Sequence, residues 1–159
     1  MSFPVTRRQA LHALGALGAA AYLTARPRPA AAQALGQHET AEEAMRRVFG
    51  GKTLKDGSGV VKLEIPFIAE NGAVVPISVE VQSPMTPTDH VRHIYIVADR
   101  NRIPVVTRVG FTPEAGQAYL AANIRLGETG DVRAIVERSD GTWLQVKREV
   151  KVTVGGCGG

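Results

Sequence analysis

The sequence predicts a mainly β protein, an antiparallel β-sandwich with one short N-terminal helix. Apolar and polar residues alternate with period two over several segments, which is typical of strands that bury one face. Two Asx-Gly pairs, Asn71-Gly72 and Asp140-Gly141, lie between such segments as hairpin signals. About six to eight short strands with near-regular turns fit one sandwich core.

A capping box predicts where the helix begins. Thr40 can accept a hydrogen bond from the backbone N–H of Glu43, and the Glu43 carboxylate can reach back to the Thr40 N–H. The apolar residues that follow, up to Val48-Phe49, have helical spacing. Gly50-Gly51 then ends the helix.

The period-two pattern predicts the strands. It is clearest at Val61 and Leu63, which alternate with charged residues, and over residues 75–81. Both Asx-Gly pairs are expected to form type I′ turns, in which both central residues need positive φ. Further strands are predicted at residues 93–98, 105–111, 118–126, 132–138 and 142–154.

The first 34 residues have the form of a signal peptide. Arg7 and Arg8 precede an apolar run rich in glycine and alanine, and small residues at 30–34 provide an Ala-x-Ala cleavage site. The paired arginines are those of a twin-arginine signal, although Ala10 stands where phenylalanine is usual. An uncleaved anchor is the alternative, but the run is short for about 30 Å of hydrocarbon. We expect cleavage after Ala34, export to the periplasm and no membrane attachment.

The charge of the chain does not indicate a polyanionic partner once the leader is removed. The chain has 19 basic and 15 acidic residues, and the first 34 residues hold four arginines and no acid. The remainder is therefore formally neutral. Because it has few aromatic residues and no basic stripe, it lacks the side chains for phosphate contacts and base stacking. We exclude nucleic acid as a partner.

The usual catalytic and metal-binding patterns fail. Gly51-Lys52-Thr53 resembles the end of a phosphate-binding loop, but an arginine stands where the first glycine belongs. Ser58 lacks the upstream glycine of a nucleophile elbow. In a strand His90 and His93 would point to opposite faces, which favours structural or solvated histidines over metal ligands. We therefore predict no catalytic residue, metal or cofactor within the domain.

The C-terminal pentapeptide carries the protein's only cysteine, flanked by four glycines: Gly155, Gly156, Cys157, Gly158 and Gly159. Glycine has no side chain to hold the tail, so we expect a flexible arm at residues 155–159 after a domain at residues 35–154. Five extended residues reach about 16 Å. A chain without Cβ atoms can also enter a narrow channel. This pattern favours a thiol that is carried into the active sites of other proteins.

Two other functions stay open from the residues alone. In one, an exported structural or interaction sandwich forms an intermolecular disulfide through Cys157. In the other, the terminal Gly158-Gly159 pair resembles that of ubiquitin-like sulfur carriers, which use a terminal thiocarboxylate made with ATP. Export argues against this second chemistry, because ATP is not available outside the cytoplasm.

Several segments together resemble the SoxY family, the sulfur-carrier subunits of SoxYZ complexes in periplasmic thiosulfate oxidation. The resemblance covers nearly the whole chain, and its most specific part is the Gly-Gly-Cys-Gly-Gly terminus. The other segments are the twin-arginine leader and residues 98–104, 111–116, 123–126 and 139–141.

The resemblance implies an immunoglobulin-like domain that acts as a carrier and not as an enzyme. It implies a heterodimer with a SoxZ-like subunit and transient contacts with SoxAX, SoxB and a sulfane dehydrogenase. Cys157 would be the site of covalent attachment: haem-containing SoxAX would join thiosulfate to it, SoxB would release sulfate, and the dehydrogenase would oxidise the remaining sulfur. Each step needs the same sulfur in a different pocket, which an arm of glycines permits.

Overall fold

The computed structural model describes residues 38–156, which form nine strands, one α-helix and a short 3-10 helix at Pro113–Ala115. Helix α1 spans Ala41–Phe49. The strands follow in the order β1 Leu54–Asp56, β2 Val61–Glu64, β3 Ile68–Ala69, β4 Val75–Val81, β5 Val91–Ala98, β6 Val105–Gly110, β7 Ala118–Ile124, β8 Gly130–Arg138 and β9 Trp143–Val152.

Two sheets pack around one apolar core, which confirms the predicted mainly β sandwich. The larger sheet has the order β1-β9-β8-β5-β6, with β3 also pairing with β9, and the smaller sheet has the order β2-β4-β7. In β4 the predicted alternation is present, since Val75, Ile77 and Val79 are buried while Pro76 is exposed. The buried residues of β4 share a cluster with inward residues of β5 and β8.

The helix begins at the predicted capping box. The Thr40 hydroxyl accepts from the Glu43 N–H at 3.2 Å, and the Glu43 carboxylate accepts from the Thr40 N–H at 2.9 Å. The helix covers the outer face of the larger sheet, where the Phe49 ring lies 5.0 Å from Tyr95 and 5.7 Å from Trp143 between centroids. Because of this cover, β5 is buried on both faces and does not alternate.

The sequence pattern does not predict β1 and β3. Both strands pair parallel with β9, through Leu54–Asp56 at one end and Ile68–Ala69 at the other. The sandwich is therefore not wholly antiparallel. Strands of two or three residues have too little periodicity to be recognised, because the partner strand fixes their position.

The two Asx-Gly pairs depart from their shared prediction. Asp140-Gly141 does connect β8 and β9 as a hairpin, but only Gly141 has positive φ, at 82°, so the turn is not type I′. Asn71-Gly72 forms no hairpin, because β3 pairs with β9 while β4 pairs with β2 and β7. Neither residue of that pair has positive φ. The hairpin prediction is wrong at Asn71-Gly72.

No helix among residues 38–156 combines the length and apolar character needed to span a bilayer. The leader at residues 1–34, with Arg7 and Arg8, lies outside the described residues. Twin-arginine export and cleavage after Ala34 stay predictions.

Candidate functional site

The chain leaves the sandwich after β9 along a path held by backbone hydrogen bonds. The Val154 carbonyl accepts from the Gly72 N–H at 2.7 Å, and the Gly156 N–H donates to the Leu126 carbonyl at 3.0 Å. Gly156 is buried, whereas Gly155 is exposed. Cys157 follows Gly156 directly and lies, with Gly158 and Gly159, outside the described residues. The cysteine is thus attached directly to a residue that the domain holds.

Two backbones pass each other too closely at this point for any side chain. A Cβ added to Gly156 would lie 2.6 Å from the Gly72 carbonyl oxygen and 2.8 Å from the Ala73 Cα. A Cβ added to Gly72 would overlap the Leu126 carbonyl oxygen, and one added to Gly155 would overlap the Gly127 carbonyl oxygen. Glycine is required here by proximity. We call the backbone contacts among Gly72, Leu126 and Gly156 the tail anchor.

The structure corrects the predicted arm at its first two residues. The sequence leads one to expect that nothing holds residues 155–159 on the domain. That expectation is wrong for Gly156, which is buried and hydrogen-bonded, and Gly155 packs against Gly127. While the tail anchor is closed, the reach of about 16 Å expected from five free residues is therefore shortened.

A buried asparagine fixes the turn that receives the tail. The Asn101 side-chain amide donates to the Arg125 carbonyl at 2.7 Å, and its oxygen accepts from the Gly127 N–H at 3.0 Å. Asn101 is 7% exposed and is the one buried polar residue of the described chain. The Leu126 N–H also donates to the Gly72 carbonyl at 2.8 Å. Asn101 thereby holds both sides of the residue that accepts the Gly156 hydrogen bond.

The loop between β5 and β6 positions this asparagine. The Ala98 N–H donates to the Pro104 carbonyl at 2.8 Å, which closes the loop at its base. Asp99 accepts three hydrogen bonds from Arg133: Nε donates to Oδ1 at 2.8 Å and to Oδ2 at 3.1 Å, and a terminal nitrogen donates to Oδ2 at 2.5 Å. This hydrogen bonding raises the pKa of Arg133, against the opposing effect of its partial burial. The ion pair ties the loop to β8.

Sequence reasoning missed Asn101, although two of the segments used for the family resemblance meet at it. The loop at residues 98–104 supplies the asparagine, and residues 123–126 end at the turn that it holds. A usable signal was present: an asparagine between Arg100 and Arg102, in a turn-forming segment shortly after the apolar run that forms the end of β5. Composition alone could not reveal its partners, which lie 24 and 26 residues away.

His90 and His93 each make hydrogen bonds within the domain. His93 Nδ1 lies 2.7 Å from a Glu137 carboxylate oxygen, and its Nε2 lies 2.8 Å from an Arg108 nitrogen. Because an arginine side chain can only donate hydrogen bonds, the His93 Nε2 atom accepts one from Arg108. The ring N–H is therefore at Nδ1, which donates a hydrogen bond to the Glu137 carboxylate. His90 Nδ1 lies 3.1 Å from the Thr86 carbonyl. Among residues 38–156 no three His, Cys, Asp or Glu side chains are grouped to hold a metal ion.

Residues from the two rejected catalytic patterns also make structural contacts. Ser58 Oγ donates to the Asp56 carboxylate at 2.6 Å and closes a turn. Lys52 Nζ lies 5.7 Å from the centre of the Trp143 ring, at the end of the aromatic cluster beneath α1. Neither side chain takes part in the hydrogen bonds of the tail anchor.

The comparisons with known proteins agree with this site. The sequence model of the family described as sulfur oxidation protein SoxY matches residues 45–157, so the match ends on the cysteine. Among solved structures, the chain is similar to the sulfur carrier protein SoxY from Chlorobium limicola f thiosulfatophilum, with 26% identity and a TM-score of 0.58. That likeness covers 71% of this chain and 96% of the other.

A second group of solved structures shares the fold alone. Superoxide reductase (neelaredoxin) from Ignicoccus hospitalis is 20% identical with a TM-score of 0.53, over 58% of this chain and 80% of that one. Among curated protein sequences, none shows a significant match to this chain.

Proposed function

The chain belongs to the SoxY family of sulfur oxidation proteins, and from this premise we propose that it is a periplasmic sulfur carrier with Cys157 as its covalent attachment site. One observation carries the proposal: the family match runs from residue 45 to the sole cysteine, which directly follows the anchored Gly156. The similar structure from Chlorobium limicola f thiosulfatophilum is described as a sulfur carrier protein. Both support a carrier of sulfur over a merely structural sandwich.

The proposed first step joins thiosulfate to the thiol. The S–H bond of Cys157 is lost and an S–S bond forms to the outer sulfur of thiosulfate, which gives an S-thiosulfonate. The coupling releases one proton and two electrons, so it needs an electron acceptor. The haem groups of a SoxAX-like enzyme would provide it.

The second step is a hydrolysis and therefore needs no external oxidant or reductant. Water breaks the bond between the outer sulfur and the sulfonate group, sulfate and two protons leave, and a persulfide anion stays on Cys157. A SoxB-like enzyme would catalyse this step. A sulfane dehydrogenase would then oxidise the persulfide sulfur to a sulfonate with oxygen from three water molecules, and its six electrons and six protons would pass to an electron acceptor and to solvent. The carrier itself catalyses neither step and holds the sulfur between them.

The proposal extends to the compartment and the partners. The predicted leader with Arg7 and Arg8 supports export to the periplasm, where a thiol meets oxidising surroundings. A SoxZ-like subunit would form a heterodimer with the carrier, and SoxAX, SoxB and the dehydrogenase would bind it in turn. Membership of the SoxY family supports Sox proteins as these partners.

Intact mass spectrometry tests the attachment site. The exported protein is incubated with thiosulfate and a SoxAX-like loading enzyme, with and without a reductant. We expect a reductant-labile mass increment on the wild-type protein and none on Cys157→Ser, because a hydroxyl cannot form the S–S bond. The melting temperature should not change, since the exchange of sulfur for oxygen at residue 157 leaves the Gly156 hydrogen bond in place.

Two outcomes would contradict the proposal. An adduct that persists on Cys157→Ser would place the chemistry on another residue. A uniform disulfide-linked dimer on non-reducing electrophoresis, with no adduct under any condition, would favour the alternative in which Cys157 cross-links two copies.

A further inference from the structure

The Asn71-Gly72 pair carries the two groups of a deamidation reaction. Asparagine is chemically labile, and its side-chain carbonyl carbon is open to attack by the next backbone nitrogen. Gly72 has no side chain to hinder that attack. Asn71 is exposed to water, and its side-chain oxygen accepts a hydrogen bond from the Ala73 N–H at 2.8 Å. The ring closed by this bond contains the Gly72 nitrogen, so the nucleophile and the carbon that it attacks belong to one turn.

The tail after β9 withholds the nucleophile. The attack requires the Gly72 nitrogen to lose its proton, and this N–H donates to the Val154 carbonyl at 2.7 Å. Gly72 is buried, and its carbonyl accepts from the Leu126 N–H at 2.8 Å, so this residue is fixed on both sides. Ring closure needs the Gly72 peptide to turn toward the Asn71 side chain. The hydrogen bond to Val154 must therefore break first.

The other asparagines are less suited to this chemistry. Besides Asn71, the sequence has only Asn101 and Asn123, which precede Arg102 and Ile124. The side chain of an arginine or of a β-branched isoleucine crowds the backbone nitrogen that would attack. We therefore expect conversion at Asn71 before either of the other two, which serve as internal references.

We propose that Asn71 is a deamidation site that the tail masks, and that it is modified when residues 154–156 leave Gly72. A C–N bond forms between the Asn71 side-chain carbon and the Gly72 nitrogen, and ammonia leaves with the proton of that nitrogen. Water then opens the succinimide ring at one of its two C–N bonds, which gives aspartate or isoaspartate and releases one proton. No oxidant or reductant is needed. The inference is independent of the proposed carrier function.

The two products differ in their effect on the tail anchor. Aspartate keeps the length of the main chain and can still accept from the Ala73 N–H. Isoaspartate inserts one methylene into the main chain before Gly72, at a turn where even a Cβ on Gly72 would lie 2.9 Å from the Gly156 nitrogen. The displaced Gly72 can then no longer receive the tail. Isoaspartate would thus make a reversible opening of the tail anchor permanent.

Rates of deamidation test the proposal. The full chain is incubated in mildly alkaline buffer, peptide mass spectrometry follows the change from amide to acid at each asparagine, and an isoaspartate methyltransferase labels the isomer. The wild-type protein, folded and in urea, is compared with Gly156→Ala, whose added methyl would lie 2.6 Å from the Gly72 carbonyl oxygen and displace the tail. If that variant does not fold, Gly155→Ala replaces it, because its methyl would overlap the Gly127 carbonyl oxygen.

The matched control is Gly141→Ala. A Cβ at Gly141 would meet nothing within 4 Å, but its positive φ makes the substitution destabilising. This variant therefore lowers the stability of the whole domain without touching the tail. It separates release of the tail from global unfolding.

We expect Asn71 to deamidate about a hundredfold more slowly in the folded wild-type protein than in urea, and at least about tenfold faster in folded Gly156→Ala than in folded wild type. Gly141→Ala should match the folded wild-type rate. Absence of conversion at Asn71 in urea would overturn the site. Equal rates in folded and unfolded wild-type protein, or an unchanged rate in Gly156→Ala, would overturn the mask. Equal acceleration in Gly156→Ala and Gly141→Ala would assign the reaction to global unfolding and also overturn it. None of these outcomes bears on the thiosulfate adduct, so this inference and the carrier function can fail separately.

Discussion

The two Asx-Gly pairs of this protein use glycine for opposite reasons. At Asp140-Gly141 the glycine has φ of 82° and a Cβ placed on it would meet nothing within 4 Å. At Asn71-Gly72 the glycine has ordinary φ, but a Cβ would overlap the Leu126 carbonyl oxygen and lie 2.9 Å from the Gly156 nitrogen. The first glycine is needed for backbone conformation, the second for close contact.

The side-chain hydrogen bonds of the two pairs are alike, so they cannot explain the difference. The Asp140 carboxylate accepts from the Thr142 N–H and the Asn71 side-chain oxygen accepts from the Ala73 N–H, each at 2.8 Å. The bond from Thr142 also lowers the pKa of Asp140. The pairs differ in the φ of the glycine and in the partner of its N–H, which donates to the Arg138 carbonyl within the turn at Gly141 and to the distant Val154 carbonyl at Gly72. An Asx-Gly pair in the sequence therefore indicates that glycine is needed, but it does not indicate whether the reason is backbone conformation or close contact.

The largest effect that separates the two glycines is expected for Gly72→Ala. The added methyl cannot fit, so the strands around Leu126 must shift and the Gly156 hydrogen bond is lost. We expect a loss of about 3 kcal/mol in the free energy of unfolding, measured in urea, and faster amide exchange at Gly156. Unchanged exchange at Gly156 would show that the tail anchor does not depend on this close approach.

A smaller effect is expected for Asn101→Ala. It removes the two part-buried hydrogen bonds that the Asn101 side chain makes with the Arg125 carbonyl and the Gly127 N–H, which should cost about 2 kcal/mol in urea unfolding. Iodoacetamide should also react faster with Cys157, because the turn that receives the tail loosens. The matched control is Asn123→Ala, an exposed asparagine on β7, which should stay within about 0.5 kcal/mol of wild type. Equal losses in both variants would contradict the role of Asn101.

The smallest effect is expected for Gly141→Ala. Space is available, so the cost comes only from positive φ and should be about 1 kcal/mol in urea unfolding. Gly141→Asn should recover part of it, because asparagine tolerates this conformation. Exchange at Gly156 should match the wild-type protein in both variants. A change in amide exchange at Gly156 would mean that the two turns are coupled, which would contradict the separate roles of the two glycines.

The parts of the fold that follow from neighbouring residues could be predicted. The capping box at Thr40 and Glu43 and the alternation of Val75–Val81 each lie within one element, and both are present. The parallel pairings of β1 and β3 could not be predicted, because β9 determines them. The cover of α1 over β5 was also hidden, since a strand buried on both faces shows no alternation.

The candidate site divides in the same way. Composition singles out Cys157, because it is the only cysteine and four glycines surround it. Composition predicts glycines that make no contact with the domain. At Gly155 and Gly156, however, neighbouring backbone atoms leave no room for a Cβ atom. That requirement arises from Gly72 and Leu126, which are far away in the chain. No local pattern contains it.

The central position of β9 has a mechanical consequence. This strand pairs with β8 along one edge and with β1 and β3 along the other, and the cysteine-bearing tail continues from its end. A pull on the tail by an enzyme would first peel open the few hydrogen bonds of the last residues. From Val152 back along β9, the same force would act in shear on the many hydrogen bonds that join β9 to its neighbouring strands. The tether can therefore lengthen by a few residues under tension and then stop, without unravelling the sandwich.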